Sequence, residues 1–400
     1  MPLALNTPST MVEDIVSKFK QLYRSEPIVV RSPGRVNLIG EHTDYNEGFV
    51  LPAAINKEIY FAIAPNGTQT MRAHAYDLEE SADFSLENVQ RSQIGWANYL
   101  LGVVAQLQKA GHQVKGFDVV FGGNIPIGAG LSSSAAVECG LAYGLDYLFA
   151  YNIEKFTLVK MAQKAEHEYA LVMCGIMDQF ASMYGKRNHV VKLDCRSLEY
   201  QYYPFDMADY RIVLCDTQVK HSLASSEYNT RRQECETGVA LLQKHYPEVH
   251  SLRDATLDML AQHQAEFDPV VYRRCTYVVQ ENLRVEEACQ DLERGDMTAF
   301  GQKMFASHQG LQHDYEVSCP ELDFLADLAK KSDAVLGARM MGGGFGGCTI
   351  NLVKLAQLEE FTRQMTQAYQ QQFNITLKTY VAEIVDGTRL VPIDFSKKKA

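Results

Sequence analysis

Three short segments concentrate the residues that could do chemistry. In the first, Pro33-Gly34 is followed by Arg35, Asn37, Glu41, His42, Thr43 and Asp44. Glu41 and Asp44 could each accept hydrogen bonds from the hydroxyls of a polyol; a charged connection with local ion pairs is the plainer account. In the second, Gly128 and Gly130 let the backbone approach a ligand closely, and Ser132, Ser133 and Ser134 open a helix. The first N–H groups of such a helix are free to receive an anion. The segment is a phosphate cradle in mechanism although the chain has no GxxxxGK[ST] loop; a serine-capped helix after a flexible turn is the alternative. In the third, Gly342, Gly344 and Gly347 formally fit GxGxxG. A dinucleotide fingerprint must open a helix, whereas residues 348–353 read as a strand, so a tight glycine turn packed on a backbone or a ligand fits better.

The elements that must position these segments can be read from apolar spacing. Ser9 or Thr10 could cap a helix that places Val12, Ile15, Val16, Phe19 and Tyr23 on one face. Residues 28–30 read as a strand broken by Ser32-Pro33-Gly34, with further strands at 49–51, 59–63 and 117–121. Helices are expected over 96–109, 132–149 and 153–172, and a strand over 190–193. A shift in composition near 202–209 divides the chain into domains 1–205 and 206–400. The second half reads as helices over 226–245, 269–294 and 320–330 and strands over 348–353 and 379–385. Without regular βα alternation the class is α+β.

At 400 residues, 46% hydrophobic and 22% charged, the chain can bury a core for two domains. A net charge of -11 argues against nucleic acid held by overall charge and leaves nucleotide binding open. Nine cysteines without a CxxC pair read as free thiols of a reducing compartment. The N-terminus lacks a signal-peptide pattern, and residues 97–107 are too short an apolar run to span a membrane. A cytoplasmic protein that touches no membrane is expected. The histidines show no metal-ligand spacing, His221 is given no role, and Lys397 to Lys399 read as a solvated tail.

Taken together, the segments resemble the galactokinase family. The signature runs from Gly34 to Gly48, and the two glycine-rich segments are similar to those of the wider superfamily of galacto-, homoserine, mevalonate and phosphomevalonate kinases. Residues 174–179 (Cys-Gly-Ile-Met-Asp-Gln), 194–198, 221–228 and 314–322 add to the resemblance, which covers roughly 31–353. It implies a mixed-sheet N-terminal domain, a ferredoxin-like C-terminal domain and an active site between them. It also implies Asp178 and Arg35 as catalytic residues, with the sugar held by Glu41, His42, Thr43, Asp44, Gly175 and Tyr228. Phosphates would sit on Gly128, Ala129, Gly130, Leu131, Ser132, Ser133 and Ser134, and Mg²⁺ on Ser134 and Glu166. Met341 departs from the threonine usual in the family.

The implied reaction moves the γ-phosphoryl of ATP to the C1 hydroxyl of galactose, with Mg²⁺ and ATP required and a monomer expected. Catalysis is then mostly positioning and charge stabilisation. An aspartate beside an arginine is a weak base for a hydroxyl proton, so Asp178 either takes that proton late or only orients the hydroxyl and steadies Arg35. An N-acetylgalactosamine kinase and a non-catalytic galactose and ATP sensor are the alternatives.

Overall fold

The computed structural model describes residues 8–126, 128–220 and 224–392. His221 and the lysines at 397–399 lie outside the described residues. The first half contains α1 (Pro8–Tyr23), β1 (Ile28–Asn37), β2 (Phe49–Val50), β3 (Pro52–Pro65), β4 (Thr70–Ala75), β5 (Glu80–Ser85), α2 (Ala97–Lys109) and β6 (Phe117–Gly123). It continues with α3 (Ser133–Phe149), α4 (Lys155–Ala165), α5 (Met177–Tyr184), β7 (His189–Asp194) and β8 (Tyr200–Pro204). The second half contains β9 (Tyr210–Lys220), α6 (Ala224–Leu242), α7 (Leu257–Gln262), α8 (Pro269–Glu293), α9 (Met297–Gln309) and α10 (Pro320–Lys330). It closes with β10 (Val335–Met340), β11 (Gly346–Lys354), α11 (Leu358–Phe373), β12 (Lys378–Ala382) and β13 (Arg389–Leu390).

A six-stranded sheet runs β13-β1-β3-β6-β4-β5, antiparallel except where β4 pairs with β6. Period-two alternation gives it two buried faces. Phe61, Ile63 and Val119 enter the main core, whereas Tyr60, Ala62 and Val120 turn to the opposite side and pack on Ile15 and Phe19 of α1. The apolar stripe expected for that helix is therefore what covers the sheet's outer face. A second, antiparallel sheet runs β10-β11-β9-β12. Its Ile212, Leu214, Ile350 and Leu352 join the main core, and its Val213, Cys215 and Val353 pack with Leu325, Phe361 and Tyr369 from α10 and α11. The two halves thus share apolar contacts across the junction, and the chain end returns so that β13 pairs with β1.

Three sequence expectations are corrected. The strand at 28–30 is not broken by Pro33: it runs to Asn37, with the register shift of a bulge between Pro33 and Arg35. A bulge tolerates a proline that lacks an N–H. The helix expected over 153–172 stops at Ala165 and continues as a single π turn, Glu166–Ala170, ending at Leu171 with φ +62. Strands β4, β5, β8 and β10 carry too little apolar alternation or too short a run to be read beforehand.

Helix α2 packs closely on the end of α4, just before the π turn. A Cβ on Gly102 would lie 2.9 Å from the Ala165 Cβ and 3.0 Å from its carbonyl oxygen. Gly102→Val should therefore force the helices apart and lower stability by about 1–3 kcal/mol, read as a lower urea midpoint at unchanged m-value.

Candidate active site

Between the two halves lies an open cleft lined by Arg35, Gly40, Glu41, His42, Asp44, Cys174, Gly175, Met177, Asp178, Tyr228, Gly342 and Gly343. All three segments singled out in the sequence meet here or at its edge.

At the inner end, β1 delivers Arg35. Its Nε and Nη2 donate to the two oxygens of Asp178 at 2.7 and 2.9 Å, and its Nη1 donates to the Gly130 carbonyl at 2.6 Å. Burial acts against the guanidinium charge, but the adjoining Asp178 carboxylate more than offsets it and the Arg35 pKa is raised. Asp178 stands in the first turn of α5. The Ser132 hydroxyl also donates to its Oδ2. Ser132 adopts φ +57 and makes no side-chain cap to its own helix, so the serine-cap account does not describe it.

The glycine loop alternates. Ala129 and Leu131 are buried in the main core, while Gly128, Gly130 and Ser132 face outward. Gly128 and Gly130 have φ of +81 and +74, which glycine adopts at little cost. The loop lies directly on β1: the Arg35 amide donates to the Leu131 carbonyl at 3.2 Å, and a Cβ on Gly34 would sit 2.5 Å from that oxygen. Ser134, in the first turn of α3, stands near the Glu166 carboxylate and favours its charged form. Glu166 is buried; desolvation raises its pKa, and it also accepts from Gln179 at 2.6 Å and from the Cys174 thiol at 3.3 Å.

The opposite wall is the loop from Gly40 to Asp44. Arg339, fully buried on β10, donates to Glu41 Oε1 at 3.0 Å and to the carbonyls of Leu38 and Asn37, and the Gly342 amide donates to the same Glu41 oxygen at 3.0 Å. The sequence reading missed Arg339, although a lone arginine inside an apolar strand next to the third glycine segment is a usable signal. His42 adopts φ +62, bonds the Tyr45 hydroxyl through Nδ1 at 2.8 Å and packs near Tyr228 with ring centroids 5.3 Å apart. Burial pushes its pKa down to about 3, so the ring is neutral. Asp44 faces Gly175 so closely that a Cβ there would lie 2.4 Å from Asp44 Oδ2.

Two expected residues sit differently from the rest. Thr43 is fully buried, its hydroxyl donating to the Gly40 and Phe49 carbonyls at 3.0 and 2.6 Å. It braces the loop from beneath and its side chain is not on the cleft wall. Met341 turns its side chain into the main core while its amide donates to the Cys348 carbonyl at 3.0 Å, so a hydroxyl is not missed in the cleft. The third glycine segment contributes backbone: Gly342 and Gly343 form wall, and the Cys348 thiol donates to the Ala129 carbonyl at 3.2 Å. Away from the cleft, His245 and His263 do come together, stacked 3.7 Å apart, but both hydrogen-bond Glu266, which accounts for the cluster without an ion.

Burial, together with the Glu41 and Asp178 charges, raises the Asp44 pKa to about 6, partly offset by the Tyr45 amide. The folded state thus holds that proton between about pH 4 and 6 while the unfolded state has released it, so ionising Asp44 costs stability as pH rises through this window. Asp44→Asn should match the parent below pH 4 and exceed it above pH 6, by on the order of 1–3 kcal/mol. Thermal unfolding at the two pH values checks the sign.

Comparison with known proteins places these features in a family. A model described as the galactokinase galactose-binding signature matches residues 17–65, and those of the GHMP kinase N-terminal and C-terminal domains match 98–186 and 288–371. The chain is 42% identical over 375 residues to a galactokinase of Roseiflexus sp., covering 94% of this chain and 96% of that one. It is 40% identical over 362 residues to a galactokinase of Thermotoga maritima, covering 90% and 99%. The crystal structure of Lactococcus lactis galactokinase complexed with galactose superimposes with a TM-score of 0.90 at 34% identity, covering 96% of this chain and all of that one. A mevalonate kinase at 16% identity and a TM-score of 0.62 shares the fold alone. With the signature on the loop that walls the cleft and the resemblance running nearly end to end, the chain belongs to the galactokinase family of the GHMP kinases.

Proposed function

We propose that the chain transfers the γ-phosphoryl of ATP to the C1 hydroxyl of galactose, with Asp178 and Arg35 at the reacting atoms. One observation carries this reading: a cleft with polyol-binding groups on one wall opens at its inner end onto an Arg35–Asp178 fork beside an outward-facing glycine loop and helix N-terminus. Residues 1–205 supply that fork and loop in this reading, and residues 206–400 supply Tyr228 and the Gly342–Gly343 wall.

Asp178 already accepts from Arg35 twice and from Ser132. A carboxylate has about four lone-pair sites, so one remains for the C1 hydroxyl. That occupancy favours Asp178 orienting the hydroxyl and receiving its proton late, as the new P–O bond forms. Arg35, fixed on both sides, can present its charge to the phosphoryl group without reorganising. The amides at Gly128 to Ser134 face the phosphates; Ala129 and Leu131, being buried, take part only through backbone. Ser134 and Glu166 fit Mg²⁺, since their hydroxyl and buried carboxylate are hard oxygen donors near one another. Mg²⁺ bound there would neutralise charge across the β- and γ-phosphates. All nine cysteines are unpaired, in keeping with a reducing compartment.

Sugar selection falls to Glu41, His42, Asp44, Gly175 and Tyr228. Galactose has an axial C4 hydroxyl where glucose has an equatorial one, and a buried carboxylate left without its donor costs about 1–3 kcal/mol or more.

ADP release with Mg-ATP should be rapid with galactose, and glucose and N-acetylgalactosamine should have kcat/KM lower by about 10²-fold. Asp178→Asn should reduce kcat by about 10²-fold or more; turnover unchanged in that variant would remove Asp178 from the mechanism. Asp44→Ala should raise the KM for galactose by about tenfold or more and leave that for ATP within twofold. Equal loss for both substrates would remove Asp44 from the sugar site.

A further inference from the structure

The loop that carries Glu41, His42 and Asp44 is held at both ends by one helix that does not line the cleft. Helix α8 presents Tyr277, Glu281 and Asn282, spaced four and one residues apart and so on neighbouring faces. Where the loop begins, the Gly40 amide donates to Glu281 Oε1 at 2.9 Å, and the Tyr277 hydroxyl donates to the Glu41 carbonyl at 3.0 Å. Where it ends, the Phe49 amide donates to Asn282 Oδ1 at 2.9 Å. All three side chains reach across more than 230 residues of sequence, and what each binds in the loop is a main-chain group.

Glu281 is itself held. It is fully buried, the Ser307 hydroxyl of α9 donates to the same Oε1 at 2.6 Å, and Arg284 donates to Oε2 at 2.6 Å. Bonds to both oxygens restrict such a carboxylate, and Glu281 is the side chain to which the Gly40 amide donates. Position 40 must be glycine: its φ is +94, and a Cβ there would meet the Phe49 carbonyl oxygen at 2.6 Å. Glu281 therefore orients the Ile39–Gly40 peptide, and Tyr277 holds the Glu41 carbonyl just after it. A rotation of the first peptide shifts the start of the short connection that carries Glu41, His42 and Asp44.

We propose that Glu281, assisted by Tyr277 and Asn282, is a positioning residue for the sugar: α8 fixes the backbone of the sugar-binding loop and thereby sets galactose affinity and discrimination. Among the described residues no hydrogen bond joins α8's three side chains to the fork at Arg35 or to the glycine loop, so the effect falls on one substrate. The inference rests on the reading of the cleft as a galactose site.

The test is steady-state kinetics and galactose titration calorimetry on the full chain, with parent, Glu281→Ala, Glu281→Gln and Tyr277→Phe. Glu281→Ala should raise the galactose KM and Kd by about tenfold or more, leave the ATP KM within twofold, and narrow the preference for galactose over glucose. Glu281→Gln keeps an acceptor for Gly40 and should recover most of the galactose affinity. Tyr277→Phe keeps the buried ring and removes only the hydroxyl; it should raise the galactose KM by a few-fold, which keeps the test decisive if Glu281→Ala fails to fold. Galactose and ATP constants that move together, or galactose constants equal to the parent's in Tyr277→Phe and in every folded Glu281 variant, would overturn the positioning role while leaving the galactokinase reading intact. A parent that neither binds nor phosphorylates galactose would overturn both.

Discussion

The Arg35 guanidinium is the point at which the elements of the site are joined. It is a largely buried cation at the edge of the cleft, and three of its five N–H donors are taken by protein acceptors. Those acceptors come from two places, the Asp178 carboxylate on α5 and the Gly130 carbonyl on the glycine loop, so the arginine joins both to the strand β1 that carries it. Removing one partner of a buried ion pair costs on the order of 3–5 kcal/mol because the other charge stays behind. The same contacts that satisfy Arg35 therefore hold α5 and the glycine loop at a fixed separation.

A second buried arginine does the equivalent work at the other wall. Arg339 reaches from the C-terminal sheet to the Asn37 and Leu38 carbonyls at the end of β1 and to the Glu41 carboxylate. Strand β1 is thus tied near its bulge by Arg35 and at its end by Arg339. Between those two ties the chain turns into the loop that faces the cleft. The shared apolar contacts of Ile212, Leu214, Ile350 and Leu352 keep the two sheets in place behind it. Polar anchoring sets the direction of the loop, and hydrophobic packing sets the distance between the halves.

Much of this architecture could be read from local pattern. The amphipathic stripe of α1, the α3 start at the serines and the strand after the third glycine segment all follow from period and composition. The failures have local causes. Pro33 reads as a strand breaker because the ladder loses an N–H there, but a bulge removes the need for one. The helix after residue 153 reads as continuous because its apolar spacing persists, yet it converts to a π turn where Glu166 must reach Ser134 and Gln179. Thr43 looks like a cleft residue by its neighbours, but its hydroxyl is the nearest donor for two buried carbonyls.

By itself the sequence determined which groups were available and in what local order: the carboxylates near Asp44, the glycines and serines of the cradle, the Asp178 segment and the glycine turn at 342–347. These are signals of residue type over short spans, where backbone conformation and side-chain chemistry are coupled directly. The tertiary structure alone decided which of them face one cavity, that Ser132 spends its hydroxyl on Asp178 instead of capping its helix, and that Arg339 and α8 hold the loop from the far half of the chain. Those pairings join residues 46 to more than 300 positions apart. They arise from the need to satisfy every buried charge and amide at once, a condition on the packed whole that no short stretch of sequence expresses.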